Sequence, residues 1–416
     1  MHVGFGSDVN IIIISLPFYF QLLNLYRSQN GRFLGMTPYG DEWRKSRKLF
    51  HQNFRAEAMV RFHPIEKQQV EKFILGLTKS ELPLKDQIET LSQKIMFDAL
   101  YGLDISSSKD DVPHHAREML ELTESILIPG WDAFKYLPLI DSLPSWFPGG
   151  QLRTSYQIIQ QEFRKLCEGP WSLMMNDINS RSNSALIPEL ISGLKSEGFD
   201  PEIERIKNMG AQAVAAASDT TMSAISTFWL AMSLYPDIQE KAHQELDGVL
   251  SPGKLPDFND RPSLPYIEAI YREVMRWHPA VPMGLPHVST EDIHYNGYYI
   301  PKGSNIHANI WAMTHDPSVY ENPDQFIPER HLREDGQFDS INSILGYGFG
   351  RRVCVGRYMA DDTVWLAIAS VLATVNISSI LNENVEDKYT DTSFCSPKSL
   401  DLAIHPRPSW RGYLQG

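Results

Sequence analysis

From Ala56 to Phe199 the apolar positions follow a helical period. Phe73 to Leu77, Met96 to Leu103 and Met119 to Ile128 each place apolar side chains on one face of a 3.6-residue turn, and Pro129-Gly130, Pro144 and Pro148-Gly149-Gly150 interrupt them. Trp131 to Phe147, with Trp131, Phe134, Tyr136, Trp146 and Phe147, reads as an aromatic loop between helices. A long helix is predicted from about Ile203 to Tyr235, roughly 45–50 Å of it. Another carries Tyr271 to His278 and ends at Pro279, and a third, apolar, runs to Ala373. Strand signals come after Ala280. Pro282 and Pro286 fix an extended path, Asp292 to Ile300 forms a hairpin around Asn296-Gly297, and Pro301-Lys302-Gly303 turns the chain toward a strand at Ile306 to Ile310. The pattern predicts a mainly α chain with small β-sheets, an α+β fold.

The first thirty residues differ from the rest. Val9 to Tyr26 is mostly apolar, with Ile11 to Ile14 in a row, but Asn10, Pro17, Gln21 and Asn24 interrupt it. A membrane span needs about 20 apolar residues, so this stretch is at best a short or broken one, and it lacks the basic flank of a signal peptide. The organisation expected is an atypical apolar segment over 1–30 and one domain over 31–416.

Composition narrows the function classes. With 416 residues, 42% apolar and 21% charged, the chain is globular, and a formal charge of −13 argues against a nucleic-acid partner. Cys167, Cys354 and Cys395 are odd in number and far apart. They exclude a disulfide framework and a Cys-x-x-Cys zinc site, and fit a reducing compartment.

One of these cysteines lies in the stretch with the clearest chemistry, Gly346-Tyr347-Gly348-Phe349-Gly350-Arg351-Arg352-Val353-Cys354-Val355-Gly356. A glycine-rich loop lets the backbone approach a large flat ligand, and a cysteine just before a helix start has its thiolate favoured by the free N–H groups there. A buried structural cysteine in a glycine turn fits the same residues. A dinucleotide fingerprint does not, because Arg351 stands where its third glycine belongs.

The spacing of Gly350, Arg352, Cys354 and Gly356 resembles the cysteine loop of cytochrome P-450 monooxygenases, with Tyr347 where that family usually has Phe. The resemblance implies haem b as cofactor, Cys354 as the ligand to its iron, and Tyr347, Gly350, Arg352 and Gly356 as loop residues against the haem.

Three further motifs follow in the family's order. Asp41 to Lys48 starts with an acidic turn after Pro38-Tyr39-Gly40, and Trp43 and Arg47, four apart, share a face. By themselves they describe a solvated basic helix anchored by one Trp; the resemblance makes them donors to a haem propionate, with His287 as a second contact. Arg44, Lys45 and Lys48 would then receive an electron donor with an acidic face. In the long helix, Ala216-Ala217-Ser218-Asp219-Thr220-Thr221 resembles the family's Ala/Gly, Gly, any residue, Asp/Glu, Thr, Thr/Ser, with Ala217 in the glycine's place. The poor helix formers are expected to open the helix locally. The roles implied are Thr220 hydrogen-bonding dioxygen or its water, and Asp219 relaying protons. Glu273 and Arg276, three apart, resemble the family's Glu-x-x-Arg, which forms a buried triad with the Arg after Pro-Glu, here Arg330 in Pro328-Glu329-Arg330. His331 replaces the usual aromatic. Alone, Glu-x-x-Arg is ordinarily a surface pair.

The resemblance covers roughly Gly31 to Pro408 and is nearest to fungal microsomal members that oxidise secondary metabolites or foreign organic molecules. It implies a long central helix over the haem and the cysteine loop on the proximal side. The expected activity is insertion of one oxygen atom of O2 into an apolar organic substrate held by Val281 and Met283 to Leu285. Electrons are expected from NADPH through a reductase, and the location is the cytosolic face of the endoplasmic reticulum membrane, with membrane-surface contact. Isomerisation, dehydration and peroxide-driven oxidation are alternatives on the same haem-thiolate centre, and a truncated inactive remnant is another. Only some forty residues precede Trp43, so a shortened start is expected, and a missing first sheet would leave a strand edge unpaired.

Overall fold

Helices carry most of the described residues in the computed structural model, which describes residues 2–3, 11–14, 33–35, 37–105, 115, 118, 150–176, 185–194, 200–335, 338–379 and 388–414. The expected apolar face at Met119 to Ile128 and the aromatic loop Trp131 to Phe147 lie outside them. The chain forms two compact units.

The first unit comprises residues 1–52, 100–216 and 283–312. It holds α1 (Asp41–Phe54), which the unit boundary cuts near its end, α4 (Gly150–Asn176) and α5 (Leu186–Ser192). Its sheet has the order β1 (His2–Val3), β2 (Ile11–Ile14), β6 (Asn305–Ala308), β3 (His287–Val288), all antiparallel neighbours. The isoleucine run expected at best as a broken membrane span is therefore a strand, pairing Ile11 with Ala308 and Ile14 with Asn305. Four β-branched residues suit that geometry. β6 is paired on both sides, by β2 and β3. No described helix is long and apolar enough to cross a membrane.

The hairpin joins β4 (Ile293–Tyr295) to β5 (Tyr298–Ile300) in the expected place. Asn296 at φ 47° and Gly297 at φ 80° supply the two left-handed residues of a tight turn whose twist matches the strands. The strand predicted to reach Ile310 stops at Ala308 instead. Asn309 Oδ1 accepts the Ala312 N–H at 3.1 Å and caps the short helix α9 (Ile310–Thr314).

The second unit comprises residues 53–99, 217–282 and 313–416. It contains α2 (His63–Gly76), α3 (Leu84–Tyr101), α7 (Pro236–Val249), α8 (Pro265–Trp277), α10 (Arg357–Thr374), α11 (Arg411–Leu414) and the pair β7 (Val375–Ser379) and β8 (Leu402–Pro406). The last residues of α3 belong to the first unit. α10 is apolar almost all round and correspondingly buried from Thr363 to Thr374. α8 begins with Pro265 at its first position, and Glu245 of α7 accepts the Tyr266 and Ile267 N–H groups at 2.8 and 3.0 Å, replacing the missing intrahelical partners. The long helix α6 (Pro201–Leu234) passes from the first unit to the second. It is continuous through Asp219, Thr220 and Thr221, so the expected local opening is absent. Buried apolar residues on both sides of the polar group hold it helical.

Candidate active site

The cysteine loop consists of two 3₁₀ turns, Leu345–Tyr347 and Gly350–Arg352, folded back so that the Cys354 N–H donates to the Tyr347 carbonyl at 2.8 Å. Gly348 at φ 74° and Gly350 at φ 59° make that reversal with conformations costly for other residues. The Cys354 side chain is exposed, whereas Cys167 is buried and the Cys395 thiol is pushed up to about 11 by burial. Three residues after Cys354, α10 begins, with Gly356 as its N-cap.

Gly356 tests whether the loop suits a flat prosthetic group. Its φ of −90° is open to any residue, and a Cβ there would meet no protein atom within 4 Å. The protein leaves open space beside this position, room for a flat group to lie against the loop. With an exposed thiol beside it, this cradle fits a haem.

Tyr347 is buried, and its hydroxyl lies 3.0 Å from that of Tyr271 on α8. The hydroxyl that distinguishes it from the family's Phe has thus found its partner. Burial pushes both phenols well above their ordinary range. Arg352 is half-buried in the second turn.

α8 also presents a second face, because residues three and four apart share a side and 271 and 275 diverge from 273 and 276. Tyr271 and Met275 meet the cysteine loop, where a Cβ on Gly346 would stand 3.8 Å from Met275. Glu273 and Arg276 point elsewhere and are buried. Arg276 donates to both carboxylate oxygens of Glu273 at 2.8 Å, Arg330 Nε donates at 3.2 Å, and the Ile327 N–H at 2.8 Å. His331 Nε2 donates to Glu273 Oε2 at 2.9 Å. Burial alone would raise the Glu273 pKa, but the hydrogen bonds from Arg276 and His331 and their charges outweigh it and bring it down to about 2.

The two guanidiniums continue outward. Arg276 donates to the Thr314 and Gln325 carbonyls at 2.9 and 3.1 Å, Arg330 to that of Glu321 at 2.8 Å, and Trp277 Nε1 to that of Asp324 at 2.8 Å. The cluster therefore pins residues 314–331 to α8. Sequence reasoning registered His331 only as a departure from the family. Its place after Arg330, in the 3₁₀ turn Pro328–His331 that aims consecutive side chains at one carboxylate, was the available signal.

On α6, Ala216 is exposed and Ala217, Asp219 and Thr220 are partly so, although Val214 and Ala215 before them and Thr221 to Ala231 after them are buried. The Ala217 carbonyl accepts the Ser92 hydroxyl at 2.7 Å. Small and polar residues are thus accessible in the middle of an otherwise buried stretch of helix.

In the first unit, Trp43 is buried on α1 against Tyr39, ring centroids 5.1 Å apart, and Arg47 is half-buried on the same face. Arg205 of α6 donates to Glu42 at 3.1 Å and fastens the start of α1. Arg44, Lys45 and Lys48 are exposed, Arg44 also pairing with Asp41. His287 lies exposed on β3, opposite Ile306 of β6, and Met283 and Leu285 just before it are exposed apolar side chains.

Comparison with known proteins adds a family. A model described as Cytochrome P450 matches residues 19–403. Cytochrome P450 monooxygenase 136 of Postia placenta is 32% identical over 381 residues, 89% of this chain and 72% of that protein. Cytochrome P450 monooxygenase ple1 of Rhodocybe pseudopiperita is 32% identical over 387 residues, 89% of this chain and 73% of its own. Among solved structures, a zebra fish cytochrome P450 with progesterone superposes with a TM-score of 0.74 at 20% identity, covering 94% of this chain and 88% of that one, a likeness of fold.

Proposed function

The chain belongs to the cytochrome P450 family and is a monooxygenase of that family, and we propose that it inserts one oxygen atom of O2 into a small apolar organic molecule of fungal secondary metabolism or of foreign origin. The observation that carries this reading is the Cys354 cradle: an exposed thiol, a loop reversed by two left-handed glycines, and a third glycine with open space beside it.

Haem held there supplies the activation of O2 and the transfer of oxygen, with a thiolate ligand favouring O–O cleavage. The chain's residues bind, orient and move protons. Cys354 Sγ offers the thiolate, and Tyr347, Gly350 and Gly356 shape the loop. Trp43, Arg47, His287 and Arg352 carry N–H donors suited to propionates. Asp219 and Thr220, half-exposed on α6, hold and pass protons. Met283 and Leu285 offer apolar surface to the substrate. Progesterone in the zebra fish neighbour is a molecule of the apolar class envisaged.

Electrons come from NADPH through a reductase whose acidic face meets Arg44, Lys45 and Lys48, and the enzyme works at the cytosolic surface of the endoplasmic reticulum. The test is a carbon monoxide difference spectrum of the reduced protein. A Soret band shifted far to the red is expected, and Cys354→Ala should abolish it. No band in the parent protein, or a band that survives the substitution, refutes the assignment.

A further inference from the structure

A cluster of charge in the second unit serves none of the roles above. Arg261 donates Nη1 and Nη2 to Asp361 at 2.7 and 3.1 Å and Nε and Nη2 to Glu268 at 3.0 and 2.8 Å, and Arg272 donates to the other Glu268 oxygen at 2.8 Å. Both guanidiniums are thereby engaged; the approach of Arg261 to Asp362 is a marginal 3.5 Å. Two arginines face four carboxyl groups, Glu268, Asp361, Asp362 and Glu66. Asp362 keeps only that long contact with Arg261 beside its imidazole neighbour.

Beside them is an imidazole. His63 Nε2 lies 3.1 Å from Asp362 Oδ2, and the ring is held by stacking on Phe258 at a centroid distance of 3.7 Å. Glu66, one turn further along α2, is completely buried. Its Oε1 accepts the Thr363 hydroxyl at 2.7 Å, and its Oε2 is buried with no hydrogen-bond partner among the described residues. Burial first, and Asp362 next, push the Glu66 carboxyl well above its ordinary range. One donor atom from each of His63, Glu66 and Asp362 lies within 4.8 Å of the other two. Bonds of about 2.0–2.2 Å to one ion bring such ligands together with a small side-chain movement.

We propose that His63, Glu66 and Asp362 form a divalent-cation site of the Zn2+ class that ties α2 to α10. One nitrogen and two carboxylates with a water as fourth ligand is a combination zinc accepts. The ion gives the buried Oε2 its partner and favours the ionised form of the Glu66 carboxyl. His63 and Asp362 keep part of their side chains exposed, so an ion has a way in. The site crosslinks α10, the helix that follows Cys354, to α2.

The experiment uses the haem-containing protein, stripped of loose metal with EDTA and dialysed to equilibrium against Zn2+, with zinc per chain read by mass spectrometry and thermal unfolding followed in parallel. One zinc per chain is expected, with a higher Tm. Losing even an outer partner of a ligand costs about 10–100-fold in metal affinity, so His63→Ala and Glu66→Gln should each weaken binding by more than about 100-fold and abolish the Tm rise. His51→Ala, which removes an exposed histidine elsewhere, should leave both unchanged. His63 is partly exposed, so its variant keeps the test valid if Glu66→Gln does not fold. Equal zinc on parent and His63→Ala, or none on the parent at micromolar Zn2+, overturns the proposal. The carbon monoxide band on the same samples reads the haem assignment separately.

Discussion

Replacing Arg276 by Ala should destabilise the protein by about 3–5 kcal/mol, because it leaves the Glu273 carboxylate buried and short of two of its donors. The depressed carboxyl gives a figure of the same order. A fall from 4.5 to about 2 corresponds to about 3 kcal/mol in favour of the ionised form, since each pH unit is worth about 1.4 kcal/mol. For a carboxylate whose folded pKa is depressed, this contribution is complete above pH 4.5 and is lost as pH falls through 2. Urea unfolding followed by tryptophan fluorescence at pH 7 measures the loss. The same titration of Glu273→Gln should show its deficit relative to the parent protein shrinking between pH 4.5 and 2. A double variant, Glu273→Met with Arg276→Met, should cost less than the two single changes together, because it removes charge and countercharge at once. A loss below about 1 kcal/mol for Arg276→Ala, or strict additivity in the double variant, would refute the view of Glu273 as a carboxylate dependent on its partners.

Other outcomes follow from the same geometry. Tyr347→Phe orphans the Tyr271 hydroxyl and should cost about 1–3 kcal/mol, while Tyr271→Phe with Tyr347→Phe should recover most of it; urea unfolding reads both. An added Cβ at Gly356 meets no protein atom within 4 Å, so Gly356→Ala should shift folding stability by no more than about 0.5 kcal/mol, yet lower haem content per chain, read from Soret absorbance. His331→Phe removes one hydrogen bond to a charged group and should cost about 1.5–3 kcal/mol by the same unfolding assay. Reduction by a reductase should slow with added salt, and Lys45→Glu with Lys48→Glu should slow it further at low salt, by stopped-flow absorbance; rates indifferent to salt would count against an electrostatic contact there.

What could be read from the residues in order was what depends on near neighbours. A three-residue spacing puts Glu273 and Arg276 on one side of a helix wherever that helix sits. Asn296-Gly297 makes its turn by its own allowed φ values, and glycines around Cys354 announce a close approach by their lack of side chains. The mainly helical α+β fold follows from such local periods, and it is the fold observed. What only the tertiary structure decided were pairings between distant segments. Ile11 to Ile14 could be apolar for a membrane or for a sheet, and pairing with Asn305 to Ala308 settled it in favour of the sheet. The polar residues at the centre of α6 could open a helix or stay within it, and burial on both sides kept them helical. His331 gained its meaning from a carboxylate 58 positions away, and Glu66 from an aspartate on a helix almost three hundred residues later. The physical reason is common to all of them: a charge or a strand edge is satisfied by whichever group packing brings within about 3 Å, and no local spacing encodes which group that will be.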